Sequence, residues 1–213
     1  MRQNIGPYWL ATQPPVLDRA NYCFYITPRL PSPTEGILFK VKKIVFRLWS
    51  HDQGWTTDTT GPEPYSGAKT WFQAAIIRGL GGGEIDRPDK VAHRIQGSST
   101  QSTSASASAE NAALVGAFQV PNPSRSGSKV WHLQRNARAW WEETLHEITW
   151  TDQDDPEKKD DVKQFLDETG TGLGYGFVRQ LAPGDRIAIY ARARDFCWVN
   201  YVRAVEIRVY YSI

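Results

Sequence analysis

The sequence predicts an all-β fold, an antiparallel β-sandwich of the jelly-roll type with about eight strands, one short helix and a long Ser-rich loop. Three observations support this prediction. Hydrophobic residues recur at every second position over much of the chain, which is the period of a strand with one buried face. Aromatic residues, which favour strands, make up 12% of the sequence. Gly and Pro are frequent and separate segments of strand length.

Length and charge limit the possible functions. A chain of 213 residues suits one β-rich domain spanning residues 1–213. Its formal net charge of +2 gives no field strong enough to indicate a nucleic-acid partner or an anionic membrane surface. No window holds the roughly 18–20 apolar residues of a membrane-spanning helix, and the first residues lack the apolar run of a signal peptide. We therefore predict a cytoplasmic protein without a membrane span, with unconventional secretion as the open alternative.

The first part of the chain predicts three strands. Residues 1–36 contain six prolines and are expected to wrap over the body as irregular chain, apart from one short strand at Tyr22–Ile26. A long strand follows from Gly36 to Trp49. Its hydrophobic alternation changes phase at Lys42-Lys43, which predicts a bulge or a turn at this pair. The next strand covers Lys69–Arg78.

Residues 84–128 are interpreted as an insertion within the one domain, because strand-like segments lie on both sides of them. The centre of the insertion, residues 97–109, consists of Gly, Ser, Thr, Gln and Ala and has no side chain able to build a core. We expect a long solvated loop there, followed by a short strand at Ala112–Phe118.

The second half of the chain predicts four more strands and the helix. Pro156 suits a helix start, Gly170 suits its stop, and hydrophobic residues at helical spacing lie between them. The glycine-rich segment 172–176 lacks the Gly-Lys-Ser/Thr ending of a phosphate-binding loop, so we interpret it as a flexible connection. The predicted strands are Lys129–Gln134, Glu142–Trp150, Arg186–Arg194 and Val202–Ile213.

The loop after the first long strand carries the most suggestive chemistry. Within it, His51, Asp52 and Gln53 offer planar hydrogen-bonding groups beside Trp55, whose indole can stack on the apolar face of a sugar. This combination predicts a carbohydrate-binding site. The alternative is structural: Asp52 would accept backbone N–H groups across the loop, as Asx turns do, and Trp55 and Trp71 would be core residues.

Three later residues extend the candidate site. Trp198 and Asn200 lie in the loop before the last strand, and they would share the rim with the His51 loop if the sandwich places the two loops side by side. Asn136 follows the strand that contains Trp131 and is the third candidate. Asparagine in a loop is also a common turn residue, which is the structural alternative for both asparagines.

No catalytic, metal or cofactor site is predicted. The four histidines are scattered without a metal-binding spacing. No Gly-x-Ser-x-Gly nucleophile motif is present, and nothing in the sequence brings two carboxylates together. An enzyme is therefore the less favoured class, and it would be a hydrolase that uses His51 and Asp52 as acid and base. Cys23 and Cys197 are predicted to be buried thiols, with a disulfide between the first strand and a late strand as the alternative.

Five segments carry a likeness to a known family: Ser50-His51-Asp52-Gln53-Gly54-Trp55, Thr70-Trp71-Phe72, Trp131 to Asn136, Gly184 to Ala188, and Trp198-Val199-Asn200. They resemble a fungal domain of unassigned function that occurs alone or attached to ankyrin-repeat and other multidomain proteins. The resemblance covers most of residues 41–213. It implies a fungal source and a β-sandwich accessory module, with no established catalytic residue to carry over. The Ser-rich tract departs from the family's compact pattern, and the closing strands are similar in architecture to galactose-binding-like jelly rolls.

We therefore predict a non-enzymatic, lectin-like module that binds carbohydrate through loops at one end of the sandwich. Its partner would be a glycan or a protein surface, and the alternative function is that of a protein–protein interaction or structural scaffold domain. The oligomeric state is left open, a homo-oligomer included. The predicted ligand-binding residues are His51, Asp52, Gln53, Trp55, Asn136, Trp198 and Asn200.

Overall fold

The computed structural model describes residues 21–33, 38–57, 63–79, 118–154, 164–194 and 198–212. In chain order the elements are β1 Asn21–Ile26, β2 Lys40–His51, β3 Thr70–Arg78, β4 Phe118–Gln119, β5 Trp131–Arg135, β6 Thr144–Thr151, α1 Phe177–Gln180, β7 Arg186–Ala193 and β8 Tyr201–Ser212. Every strand pairing between them is antiparallel.

The strands form two sheets. The larger, five-stranded sheet has the order β1-β7-β3-β4, with β5 also pairing with β3, and the smaller, three-stranded sheet has the order β6-β2-β8. The chain crosses between the sheets at each connection except those that join β3, β4 and β5. The predicted antiparallel β-sandwich is thereby confirmed.

The sequence predicted a bulge or a turn at Lys42-Lys43, and the structure has a bulge there, within β2. Val41 pairs with Tyr211 and Lys43 pairs with Tyr210, so Lys42 is the extra residue on the β2 side. An extra residue restores the alternation, because without it every following side chain of β2 would turn to the opposite face. The inward positions on either side of the bulge are all buried in the core, from Val41 through Ile44 to Leu48.

The short helix α1 bridges the two sheets through one aromatic side chain. The Phe177 ring lies edge-on to Trp131 of the larger sheet, with ring centroids 5.0 Å apart, and 4.9 Å from Trp150 of the smaller sheet. A helix of four residues is too short to be stable alone. Its position is therefore set by the packing of Phe177 and its buried neighbour Val178.

The helix predicted between Pro156 and Gly170 is wrong for its second half. Residues 155–163 lie outside the described residues, but residues 164–173 form a tight hairpin in which Phe165 pairs with Gly172. The Phe165 ring packs against His132, with ring centroids 4.7 Å apart. This tertiary contact outweighs the local helix signals, which carry little free energy by themselves.

The outer face of the larger sheet is apolar in its middle. A second buried cluster lies there, composed of Cys23, Ile26, Ala75, Ile77, Ala188 and Tyr190. Burial raises the pKa of the Cys23 thiol to about 12, which keeps it protonated. Cys197 lies outside the described residues, so its predicted burial as a thiol and the alternative disulfide with Cys23 both stay predictions.

Several predicted features lie outside the described part of the chain. These are most of the Pro-rich wrap of residues 1–36, the Ser-rich tract of residues 97–109 and most of the predicted strand Ala112–Phe118. Among the described residues, no helix has both the length and the apolar character needed to cross a membrane.

Candidate functional site

The predicted site residues gather at one end of the sandwich. Strands β2 and β5 end there, and β3 and β8 begin there. His51 pairs with Tyr201 across the smaller sheet, and the hydroxyl of Ser50 donates a hydrogen bond of 2.7 Å to Asn136 Oδ1 across the two sheets. We call this end, with the loops that leave these four strands, the His51 end.

Asn136 lies at the centre of a buried polar network. Besides the contact with Ser50, its Nδ2 lies 3.0 Å from Thr70 Oγ1, 2.9 Å from Asn200 Oδ1 and 3.3 Å from the carbonyl oxygen of His51. Ser50 belongs to the smaller sheet and Thr70 to the larger one. One side-chain amide therefore joins both sheets and two of the loops at this end.

Asn200 extends the same network into the larger sheet. Its Nδ2 donates to the carbonyl oxygens of Trp71, at 3.1 Å, and Arg192, at 3.2 Å. The structure thus brings Asn136 and Asn200 beside the His51 loop, as the sequence suggested for neighbouring loops. Both side chains are almost completely buried, so they are placed to hold the loops in position.

The carboxylate of Asp52 holds its own loop in place through three hydrogen bonds. Its Oδ1 accepts from the backbone N–H of Gln53 at 2.8 Å and from the Thr70 hydroxyl at 3.2 Å, and its Oδ2 accepts from the backbone N–H of Ala139 at 3.0 Å. Burial raises the pKa of this carboxyl, and the hydrogen bonds from Ala139, Gln53 and Thr70 partly oppose that rise. These contacts match the structural alternative for Asp52.

The bond from Ala139 has a consequence for the next two residues. Ala139 has a φ of 56°, in the left-handed region that an alanine seldom adopts. Its N–H is held by Asp52, and the carbonyl oxygen of Trp140 accepts from the Asp52 N–H at 3.1 Å. Asp52 therefore positions the backbone that carries Trp140 and Trp141.

Gly54 brings the two loops into direct contact. Its φ is 90°, and a Cβ atom added to it would lie 2.6 Å from the Cβ of Trp141, closer than real Cβ contacts come. The turn therefore needs glycine for both its conformation and its space. The loop of residues 52–55 and the loop of residues 139–141 consequently form one continuous surface.

Three indoles are exposed on this surface. Trp55 is 65% exposed, Trp140 46% and Trp141 68%. We call these three residues the tryptophan platform. Trp55 therefore does not follow the structural alternative, which placed it in the core, while Trp71 is half-buried. The side chain of Gln53 lies beside the platform and donates to the carbonyl oxygen of Trp55 at 3.2 Å.

Trp140 and Trp141 were not among the residues predicted from the sequence. A usable signal was present, since two consecutive tryptophans lie between an asparagine turn and the pair Glu142-Glu143. Successive side chains in an extended chain point to opposite sides. Two adjacent tryptophans next to charged residues at a strand end therefore cannot both enter the core.

His51 and Trp198 are partly buried at the same end. The His51 ring stacks on Tyr201, with centroids 4.6 Å apart and an angle of 8° between the planes. Its Nδ1 lies 2.6 Å from the carbonyl oxygen of Asp52, not from the carboxylate. The imidazole is thus oriented by its own loop and by β8.

The described residues contain a cavity of about 20 Å³ elsewhere in the molecule. Its lining includes Asn122, Trp131, His132 and Tyr175, and it has room for about one water molecule. Within the described ranges, no group of three or more His, Cys, Asp or Glu side chains is placed to hold a metal ion. At the His51 end, the chemistry lies on the surface in the exposed indoles.

No known protein family, curated protein or solved structure matches this chain. The resemblance to a fungal domain of unassigned function therefore stays a prediction.

Proposed function

We propose that the chain is a non-enzymatic module that binds carbohydrate through the tryptophan platform at the His51 end. The observation that carries this proposal is the exposure of Trp55, Trp140 and Trp141 in two loops that touch each other. Large aromatic side chains placed in water at one spot of a surface usually mark a binding site. Indole rings bind sugars by stacking on the faces formed by their C–H groups.

The buried network supports binding because it makes the platform rigid. Asp52 fixes the backbone ahead of Trp140, and Asn136 ties that loop to both sheets. A surface that is held in its binding conformation loses less conformational entropy when a ligand binds. Under this proposal Asp52, Asn136 and Asn200 act on the ligand indirectly, by holding the loops that carry the indoles.

The geometry around Asp52 supports a binding module more than a hydrolase. A general acid or base needs a carboxyl within hydrogen-bond reach of the substrate. Both oxygens of Asp52 already accept hydrogen bonds from the protein, and the side chain is almost completely buried. The His51 ring nitrogen contacts a backbone carbonyl.

A protein surface is the alternative ligand, since tryptophan is also enriched at protein interfaces. A glycan array probed with the purified chain, with and without calcium, separates the two. We expect saturable binding to at least one glycan, weakened roughly tenfold or more in Trp141→Ala because an indole that stacks on the ligand is lost.

The matched control is Leu38→Ala. Leu38 is 82% exposed and precedes β2 at the opposite end of the sandwich, so its removal should leave glycan binding unchanged. A blank array, or equal binding by wild type and Trp141→Ala, would contradict carbohydrate binding at the platform. A blank array would shift the proposal to a protein partner.

A further inference from the structure

A row of arginines flanks Trp71 on the outer face of the larger sheet. Trp71 pairs with Arg135 of β5 on one side and with Arg192 of β7 on the other. Directly paired residues of antiparallel strands share a face of the sheet. The next residue along β3, Phe72, is a core residue, so Trp71 and its two partners point outward. Arg194 lies two residues beyond Arg192, and its N–H donates to the carbonyl oxygen of Lys69 at 2.8 Å.

The charge of Arg192 has no acidic partner among the described residues. Its Nε donates to the neutral Oε1 of Gln73 at 2.7 Å, and its guanidinium lies 5.0 Å from the centre of the Tyr190 ring. Its Nη1 is buried and finds no acceptor within the described part of the chain. Burial lowers the pKa of Arg192, and the groups that oppose this effect are Tyr190 and Cys23, not carboxylates.

Other arginines of the chain differ from Arg192 in this respect. They form ion pairs with acidic side chains, and the pairs are Arg47 with Glu147, Arg78 with Asp185, Arg203 with Glu143 and Arg208 with Glu206. Pairing is thus common on this protein's surface. Arg192 departs from this pattern within the described part of the chain.

Arg135 and Arg194 add two further positive charges beside Trp71. Arg135 stacks on Phe165, at 3.7 Å from the ring centre, and donates to the carbonyl oxygen of Tyr65 at 3.2 Å. Burial is the largest cause acting on the pKa of Arg135, and it lowers that pKa. The charge of Asp167 raises the pKa, whereas the nearby charge of Arg194 lowers it further. Arg194 itself is exposed. An anion bound among these guanidinium groups would relieve their mutual repulsion.

We call Arg135, Arg192 and Arg194 the arginine row. The buried hydrogen-bond network of the His51 end contacts both this row and the tryptophan platform. Asn200 donates to the carbonyl oxygens of both Trp71 and Arg192, and its Oδ1 accepts from Asn136. Asn136 also begins the segment that leads to Trp140, and its side chain is buried. The same buried network therefore holds both surfaces at the His51 end.

We propose, on the basis of the carbohydrate-binding function proposed above, that the ligand is an acidic polysaccharide whose carboxylate or sulfate groups bind Arg192 and Arg194 beside Trp71. The platform would stack on sugar rings, and the arginines would select rings that carry a negative charge. Single-stranded nucleic acid is the other polymer that combines rings with anions. The chain's formal net charge of only +2 favours the polysaccharide.

The test compares each charged polymer with its neutral counterpart. The probes are polygalacturonate against its methyl ester, and dextran sulfate against dextran, with binding measured by titration calorimetry at two salt concentrations. We expect wild type to bind at least one charged polymer roughly tenfold more tightly than its neutral counterpart, and this preference to shrink at high salt. The polymer pair that shows the preference identifies carboxylate or sulfate.

Two variants test whether the arginines beside Trp71 cause the preference for the charged polymer. Arg192→Gln and Arg194→Gln should each reduce binding of the charged polymer by roughly threefold to tenfold and leave the neutral polymer unaffected. Arg194 is exposed, so its variant should fold even if Arg192→Gln does not. Arg203→Gln, which removes an exposed arginine paired with Glu143, is the control and should bind like wild type.

The outcomes separate the two proposals. If wild type shows no preference for either charged polymer, or if both row variants keep the preference, the acidic ligand is wrong, and loss of neutral binding in Trp141→Ala would still support the platform. If single-stranded DNA binds more tightly than every polysaccharide and the row variants abolish that binding, the row serves nucleic acid and the acidic polysaccharide is overturned.

Discussion

At the scale of single residues, the polar side chains at the centre of the His51 end are buried and its tryptophan platform is exposed. Asp52, Asn136 and Asn200 are buried and bound to the protein, whereas Trp55, Trp140 and Trp141 are exposed. Buried polar groups are retained when every hydrogen bond they lost to water is replaced. The buried set therefore holds the backbone of the loops that carry the exposed set.

Asn136→Ala should lower the free energy of unfolding by about 3 kcal/mol, because it leaves the buried polar atoms of Ser50, Thr70 and Asn200 without their shared partner. Urea denaturation followed by tryptophan fluorescence measures the change. Ser126→Ala, at an exposed position, is the control and should change stability by less than about 0.5 kcal/mol. A similar small loss in Asn136→Ala would show that water replaces the amide without cost.

At the scale of elements, the glycine-rich segment 172–176 packs closely against β5 and Trp150 and is not the flexible connection predicted from the sequence. Gly172 N–H donates to the carbonyl oxygen of Leu133 at 2.8 Å, and the indole N–H of Trp150 donates to the carbonyl oxygen of Gly172 at 2.8 Å. A Cβ on Gly174 would lie 2.2 Å from the Trp150 ring. The segment therefore passes the Trp150 ring at a distance that only glycine permits. It leads directly into α1, which begins at Phe177.

Gly174→Ala and Gly184→Ala form a matched pair that separates space from conformation. Both glycines have positive φ, 63° and 79°, but nothing lies within 4 Å of a Cβ placed on Gly184. We expect Gly184→Ala to cost about 1 kcal/mol through its conformation alone. Gly174→Ala should cost about 3 kcal/mol or more, because it also displaces the Trp150 ring. Thermal unfolding of both variants checks this, and equal losses would mean that the ring moves freely.

At the scale of the whole molecule, two histidines connect stability with pH. Burial lowers the pKa of His132 to about 3 and that of His146 to about 4, both below the usual 6.5. Below pH 6.5 an unfolded chain binds protons at these positions and the folded chain does not. The stability that they contribute is complete above pH 6.5 and is lost progressively as the pH falls toward the folded values.

His146→Leu isolates one of these contributions. His146 pairs with Leu48 on the core side of β6, and its Nε2 has no hydrogen-bond partner among the described residues. Between pH 6.5 and pH 4 the wild type should lose about 1.4 kcal/mol per pH unit more than the variant. Urea unfolding at a series of pH values measures the two slopes. Parallel slopes would show that His146 titrates normally in the folded protein.

The sequence by itself determined the features that depend on neighbouring residues. Hydrophobic alternation predicted the strands, because the order of a strand's own side chains determines which residues share a face. The change of phase at Lys42-Lys43 predicted a bulge or a turn, and the structure has the bulge. The loops at the His51 end were recognisable for the same reason. The asparagines and Asp52 stood out as polar groups at strand ends, but nothing local showed which way they point.

Only the tertiary structure decided which residues of those loops face inward. Asn136 contacts the carbonyl oxygen of His51 across 85 positions of sequence, and Asp52 reaches Ala139 across 87. Such contacts follow from the pairing of distant strands, and burial follows from those contacts. The exposure of Trp140 and Trp141 arises in the same way, as does the lack of a hydrogen-bond acceptor for Arg192 Nη1 among the described residues. Both depend on what the rest of the fold brings beside each side chain.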